Sequence, residues 1–400
     1  MNLFKGYFGG QGLYPIPTAQ TSLTIVSGDA GAVNSETALR HTVVYACNQA
    51  VADAMASVTL SLYRRKDNAK EEAKDHPLYN LLKYAPNPYM TSFEWRQMII
   101  TDLNLRGRHF SQKIRNGRGE VIGLYPLIAD NMQVMLNDRK EIVYLYAIDN
   151  DHVPLKAEEV LHIKGLPDST GLDGINPVEY NRKAIELSKT TEVFGINFFK
   201  NGANGSGILQ HPQTLSDEAF ERLQKSFAEK YQGLANSGKP IILEEGMKYE
   251  RLSLSNEDSQ FLETRKFQKA EIAALFKVPL YMLGDMEKST FNNMEQMATN
   301  FVVNTLMPFA VKIEQAIHRQ VLGTDSDLFV KFNLNSLMRG DYKTRTEGYK
   351  TLLNIGALNP NEIRSLEGFD PMGKEGDKYY MQLNMATLEQ IGKTNVDNKD

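Results

Sequence analysis

Cysteine occurs once in this chain, at Cys47, so no intrachain disulfide can form. That usage fits an intracellular protein that needs no covalent staple. Cys47 lies between Ala46 and Asn48 in a segment of helical periodicity, where a thiol is a small core side chain rather than a nucleophile. No run approaches the roughly 20 consecutive apolar residues a membrane span requires. The opening Met1-Asn2-Leu3-Phe4-Lys5 turns Gly-rich without the apolar core of a signal peptide, so none is expected. Strong charge of one sign is also missing. The net charge is only -4, with no basic patch of the kind that displaces counterions from nucleic-acid phosphates.

Catalytic motifs are equally scarce. No G-x-x-x-x-G-K-[ST] run cradles nucleotide phosphates. Gly117 and Gly119 begin a G-x-G, but Ile122 stands at the third glycine's place. No G-x-S-x-G elbow occurs, and Gly205-Ser206-Gly207 reads as a flexible break. The seven histidines, at 41, 76, 109, 152, 162, 211 and 318, never recur at helical i, i+4 spacing and lack accompanying cysteines, which argues against a structural zinc site. His162, in the apolar stretch Val160-Leu161-His162-Ile163, is read as a strand histidine with a local hydrogen bond. Glu71-Glu72, Glu158-Glu159 and Glu244-Glu245 read as solvated acid pairs. No catalytic residue, cofactor or metal is expected.

What the chain does have is ordinary globular material: 400 residues, 42% hydrophobic and 24% charged, enough for a sizeable core. Residues 1–35 read as a mobile arm. Leu39, Val43, Cys47, Ala50 and Ala54 make one apolar face of a helix over about 36–57, feeding a strand from Val58. His76-Pro77 opens a short helix stopped by Pro86-Asn87-Pro88, and Thr91-Ser92-Phe93-Glu94 is a capping box for a helix to about Leu105. Short strands follow from His109 to Ile163, with Asn116-Gly117 at a hairpin position. A long helix over 177–200 and another over 256–277 flank a strand–helix–strand insert, whose second strand is expected to begin at Ile241. A third long helix, about 292–322, contains Pro308 and should kink near Asn304 and Thr305. A strand at 329–334, short helices at about 341–354 and 359–366, and a polar tail complete the chain.

The segments Val43-Val44-Tyr45-Ala46-Cys47-Asn48-Gln49-Ala50-Val51-Ala52, His76-Pro77-Leu78 with Pro86-Asn87-Pro88, and Glu159-Val160-Leu161-His162-Ile163 with Gly171 and Pro177 occur in that order. Phe198-Phe199-Lys200-Asn201-Gly202-Ala203 follows. Then come Asp258-Ser259-Gln260-Phe261-Leu262-Glu263-Thr264-Arg265 running to Val278-Pro279, and Asn359-Pro360-Asn361-Glu362-Ile363-Arg364. In these six segments the chain resembles the phage portal protein family from about Glu36 to Asn384.

The resemblance implies an α+β portal fold. Residues 1–35 would be a flexible arm, 36–175 the wing, 176–204 and 251–281 the two stem helices, and 205–250 a small α/β clip. Residues 282–291 would be the tunnel loop, 292–340 the kinked helix and a wing strand, 341–385 a short helical crown, and 386–400 a tail. It implies a homo-oligomeric ring, usually of twelve subunits, at one capsid vertex. Its partners would be the major capsid protein, the terminase packaging motor, a head–tail adaptor, and double-stranded DNA bound without sequence specificity; no membrane is involved. The protein would act in the virion, after assembly in the bacterial host cytoplasm or expression from a prophage. Asp285, Glu287, Lys288, Ser289 and Thr290 would face DNA in the tunnel loop.

The stem carries mixed charge, with Arg182, Lys183, Glu186 and Lys189 on one helix and Glu263, Arg265, Lys266 and Lys269 on the other. These are expected to make subunit contacts by salt bridges. Two alternatives remain: a hydrolase built from converging carboxylates or a metal, and a different capsid connector protein.

Overall fold

The computed structural model describes residues 33–380, apart from 67–68, 149–150, 201–206, 232–242, 244–245, 252–256, 287–290, 324–326, 335–336 and 338–341. Residues 1–32 of the expected arm and the expected tail lie outside the described residues, while the arm's last residues prove ordered: Val33 is buried, Asn34 caps the first helix and Ser35 begins it. The chain divides into two compact units, Met1–Asn333 and Leu334–Asp400.

The first unit opens with α1 (Ser35–Ala38) and α2 (Thr42–Ser57). A single helix was expected here. The break falls at Leu39–His41, because His41 turns extended to stand at the N-cap of α2 while its ring reaches Ser188, 147 residues away. The strands β1 (Leu60–Lys66) and β2 (Ala69–Glu72) follow, then α3 (Pro77–Lys83) and α4 (Ser92–Leu105). The Thr91–Glu94 capping box opens α4 as its sequence predicts, and Pro77 stands in the first turn of α3.

Six strands come next: β3 (Arg108–Arg115), β4 (Val121–Leu127), β5 (Met132–Leu136), β6 (Ile142–Ile148), β7 (Asp151–Lys156) and β8 (Val160–Lys164). They form two three-stranded antiparallel sheets, ordered β4-β3-β8 and β5-β6-β7. The helices α5 (Pro177–Tyr180) and α6 (Arg182–Lys200) lead to β9 (Gly207–Gln210), α7 (Asp217–Tyr231) and β10 (Lys248–Arg251), with β9 and β10 paired antiparallel. Ile241 and Ile242 lie outside the described residues; Leu243 has no regular structure, and the strand forms at 248–251.

The chain continues through α8 (Glu257–Leu275), α9 (Phe291–Phe301) and α10 (Met307–Ile317) to β11 (Leu328–Phe332), which returns to pair with β1 in a third sheet, β11-β1-β2. The second unit holds α11 (Tyr342–Asn354) and α12 (Pro360–Leu366), the latter opened by a capping box between Asn359 and Glu362. No helix among the described residues is long and apolar enough to cross a membrane.

Between α9 and α10 the helix does not stop. It widens into a π turn over Val302–Leu306, in which the Met307 N–H reaches the carbonyl of Val302. Pro308 explains the position: it has no N–H for the carbonyl of Asn304, so the ordinary i→i−4 ladder cannot pass this point. Thr305, inside the turn, donates its hydroxyl to the carbonyl of Lys277 at 2.7 Å. A second π turn, His318–Leu322, ends α10.

The core lies between α2 and α4 and beneath the sheets. Trp95, Ile99, Ile100 and Leu103 on α4 are buried with Val44, Cys47, Val51 and Met55 on α2. Burial pushes the Cys47 thiol up to about 12, so it is inert as a nucleophile. Phe110 anchors a second cluster with Met132, Tyr144, Tyr146 and Leu155.

Arg96 ties three helices together. Its guanidinium is buried with no carboxylate partner among the described residues, and burial alone lowers its pKa to about 10. It donates to the carbonyl of Ala56 at 2.7 and 3.2 Å, near the end of α2, and to that of Leu82 at 3.3 Å, near the end of α3. Carbonyls at helix C-termini have no partner within the helix and carry partial negative charge, which suits a cation. Arg96→Met should therefore leave buried acceptors unpaired and cost roughly 2–3 kcal/mol. The measurement is the urea midpoint of the full chain, expected to fall with an unchanged denaturant slope.

Candidate ring-contact and channel surface

The helices α6 and α8 meet through small residues and packed aromatics. Asn176 caps α5, its side-chain oxygen accepting from the N–H groups of Val178 and Glu179, with Pro177 in the first turn. The helix breaks at Asn181, whose amide donates back to the Pro177 carbonyl at 2.9 Å. On α6, Ile185, Ser188 and Gly195 are buried; on α8, Gln268, Ile272 and Ala273 are buried. Gln268 donates to the Thr191 hydroxyl at 2.9 Å, and the Phe194 and Phe261 rings meet at 6.0 Å. A Cβ on Gly195 would sit 2.8 Å from the Phe261 ring, so glycine is what admits that ring.

The charged residues expected to make subunit contacts do not behave as one set. Arg182 and Glu186 pair within α6 at 3.9 Å, while Lys183, Glu263 and Lys266 are exposed. Lys189 and Arg265 are half-buried. Lys269 turns onto its own chain, donating to the Leu283 carbonyl at 3.0 Å. These helices also expose large apolar side chains: Leu187, Phe194 and Ile196 on α6, with Leu262 and Phe267 on α8. Leu187 and Phe194 stand seven residues apart, two helical turns on one face. Reading these helices by their charges hid this stripe, although the seven-residue spacing is visible in the sequence.

After α8, Lys277 takes a left-handed backbone (φ 54°) and Pro279 leads a single 3₁₀ turn, Leu280–Leu283. Gly284, at φ 80°, closes it. Asp285 is half-buried, its N–H donating to the Leu280 carbonyl at 3.2 Å, and Met286 is exposed. Glu287, Lys288, Ser289 and Thr290 lie outside the described residues. The loop therefore starts from a pinned base, held by Lys269 on one side.

One arrangement has hydrolase-like geometry. Asp102 meets His109 Nδ1 at 2.8 Å, and His109 Nε2 meets the Ser111 hydroxyl at 2.9 Å. The Trp95 indole, a donor only, gives its N–H to that hydroxyl at 3.1 Å. The Ser111 hydroxyl thus accepts from Trp95 and shares a hydrogen bond with Nε2, while Asp102 shares one with Nδ1. Arg106 then bridges Asp102 and Asp130. Ser111 and His109 are fully buried, so no substrate reaches the hydroxyl. The chain of donors is a satisfied core network. Among the described residues no three His, Cys, Asp or Glu side chains are grouped to hold a metal ion. His162 is also buried; its ring stacks on Phe110 and pairs with Asp173 at 3.3 Å.

With helices on antiparallel sheets, a strand–helix–strand insert between two long helices and a long helix broken by a π turn, the chain has the mixed α+β fold of portal-type neck proteins. A structure described as the neck of a native gene transfer agent particle, computed with twelve-fold symmetry, shares it at TM-score 0.57 and 21% identity, over 86% of this chain and 97% of that one. So does an HK97-family phage portal protein from Corynebacterium diphtheriae, at TM-score 0.57 and 15% identity, over 76% and 97%. A sequence model described as phage portal protein matches residues 42–368. The portal protein of Enterobacteria phage HK97 is 30% identical over 403 residues, spanning 97% of this chain and 93% of that protein. The chain belongs to the phage portal protein family.

At the N-cap of α2, His41 is buried against Ser188 Oγ on α6 at 3.0 Å and lies 3.7 Å from Glu192. Its Nδ1 has no hydrogen-bond partner. Burial lowers its pKa below 6.5; Glu192 pulls it up and Arg265 pushes it down. The folded state thus binds fewer protons than the unfolded chain as pH falls through that value, and stability is lost on the acid side. The melting temperature should drop between about pH 7.5 and about pH 5.5, and His41→Gln should flatten that drop. Calorimetric scans of both proteins at matched salt check it.

Proposed function

We propose that this chain is one subunit of a closed ring, built of twelve copies at one capsid vertex, through which double-stranded DNA enters and leaves the head. The observation that carries this reading is membership of the portal family over most of the chain. The twelve-fold symmetry of a neck sharing its fold agrees with it. The stem supplies a physical reason for association. Leu187, Phe194, Leu262 and Phe267 lie in water in the single subunit, and a ring would bury them. Apolar stripes supply affinity; the mixed charges around them supply register. The near-neutral charge also suits a conduit, because a strongly basic wall would hold the polyanion in place.

The small unit over 205–250 would dock the terminase motor during packaging and a head–tail adaptor afterwards, while the outer surface meets the major capsid protein. Energy for packaging would come from the motor, since the chain has no phosphate-binding loop. Residues 285–290 would reach the DNA. Lys288, a flexible point charge, would touch phosphates, and Asp285 and Glu287 beside it would keep the contact weak.

Native mass measurement of the purified chain should give a closed oligomer, with twelve subunits as its largest discrete species. Phe267→Asp should shift it toward single subunits by at least about tenfold in dissociation constant, given the roughly 1.5–3 kcal/mol that burying one such ring contributes. A species that stays monomeric at every concentration and salt would refute the ring.

Shortening residues 285–290, or Lys288→Glu, should leave the ring intact but lower the DNA retained in filled heads. Full-length DNA retained at parental levels in both variants would remove the loop's proposed role.

A further inference from the structure

A cyclic ring of more than two copies needs two different surfaces on each subunit, because a patch that meets its own copy closes with two. The exposed apolar side chains of α6 and α8 supply one surface. Its counterpart has to be apolar as well, since leucine and phenylalanine gain nothing from covering solvated charges. The centre of such a contact is marked by depletion of charge and by enrichment in methionine and aromatic residues.

The long helix through the first π turn carries a surface of that kind. Between Gln296 and Ile317 only Lys312 and Glu314 are charged. Both turn onto their own chain. Lys312 Nζ donates to the Gly165 carbonyl at 2.9 Å, and Glu314 accepts the Phe332 N–H at 2.9 Å and Lys331 Nζ at 2.7 Å. Val303, Met307 and Val311 are left exposed at i, i+4 and i+8, so they form one row. Exposed Asn300, Asn304 and Gln315 flank it with neutral amides. The row faces away from the subunit. On the other side of the π turn Val302, Thr305 and Leu306 are buried, the turn packs against α2, and Thr305 holds the Lys277 carbonyl just past the end of α8. Other exposed apolar groups in this unit sit among charges. Met135 and Leu136 are followed by Asp138-Arg139-Lys140-Glu141, while Tyr84 and Phe93 adjoin Lys83 and Glu94.

We propose that Val303, Met307 and Val311 form the second ring surface, and that they seat the apolar side chains of α6 and α8 of the next copy. The proposal rests on the ring reading above and adds which face receives those two helices. Cyclic closure is what selects a second copy as the occupant: one apolar surface is already present, and this row is a different, charge-free one on other elements of the same unit. DNA does not suit the row, because phosphates are held by cations and the row has none. Met307 suits a neighbour's phenylalanine rings, since a flexible thioether adapts to irregular gaps and makes favourable contacts at ring edges.

Native mass measurement of full-length variants, alone and mixed, tests the pairing. Val311→Asp should weaken self-association by about tenfold or more, as Phe267→Asp does from the other surface. Val303→Asp should repeat the effect. Val303, Val311 and Phe267 are exposed, so the urea midpoint of each single subunit should stay at the parental value, and a variant that loses it is set aside for the other of its pair. Val311→Asp and Phe267→Asp proteins are then mixed in equal amounts. Each keeps one intact surface, and the two that remain are complementary. The mixture should therefore give a discrete two-subunit species that neither variant forms alone and that cannot grow further. A mixture that stays monomeric overturns the proposal, because the two surfaces then do not meet. Parental rings formed by both Val303→Asp and Val311→Asp overturn it too, while leaving the ring reading intact. A parent chain that never associates refutes the ring reading itself, and that result is seen without any variant.

Discussion

The carboxamide of Gln320 grips the backbone of His162 from both sides, and the path of the last third of the first unit depends on that grip. Gln320 sits in the π turn that ends α10, and its own carbonyl accepts from Lys113 on β3 at 2.7 Å. Burial holds that lysine down to about 8. Lys312 donates to the Gly165 carbonyl, and Glu314 accepts the Phe332 N–H. Four side chains thus fasten one helix to two sheets through backbone groups that would otherwise be buried unpaired, each costing about 1–3 kcal/mol if left so. With α10 fixed, β11 is delivered to β1, and the sheet that carries the first helices closes.

The same requirement gives the Ser–His–Asp geometry a structural origin. At buried His109 both ring nitrogens find a partner, in Asp102 and Ser111. Catalysis would need, in addition, an approach to the hydroxyl and donors aimed at a developing charge. Ser111 is instead buried, and its hydroxyl takes the Trp95 N–H. Geometry between three side chains is therefore not a site until solvent and substrate can reach it.

The pair α6 and α8 shows the opposite economy. Its inner face is satisfied by Gly195 under Phe261, Thr191 with Gln268 and Ser188 with His41, while its outer face leaves leucine and phenylalanine in water. A single subunit gains nothing from that exposure. It becomes intelligible when another copy covers it, as the portal family implies. Charged residues that stand out in the sequence are partly spent within the subunit: Arg182 on Glu186, and Lys269 on a carbonyl at the base of the loop.

Local rules in the sequence determined where helices begin and end. The Thr91–Glu94 box, Pro77 in a first turn, Asn176-Pro177 and Pro308 act over one helical turn, and each stands where its chemistry predicts. The order of helices and strands, and with it the family, was legible for the same reason. Position in three dimensions was not. The break at His41, the return of β11 to β1, the closure of β8 by Gln320 and the triad-like core all join residues that sequence distance keeps apart. Which residues of α6 and α8 are exposed was likewise decided by packing: Arg182 folds back onto Glu186 along its own helix, whereas Leu187 is left exposed. Short-range backbone chemistry is written in adjacent residues; burial and pairing across the chain exist only once the chain has folded.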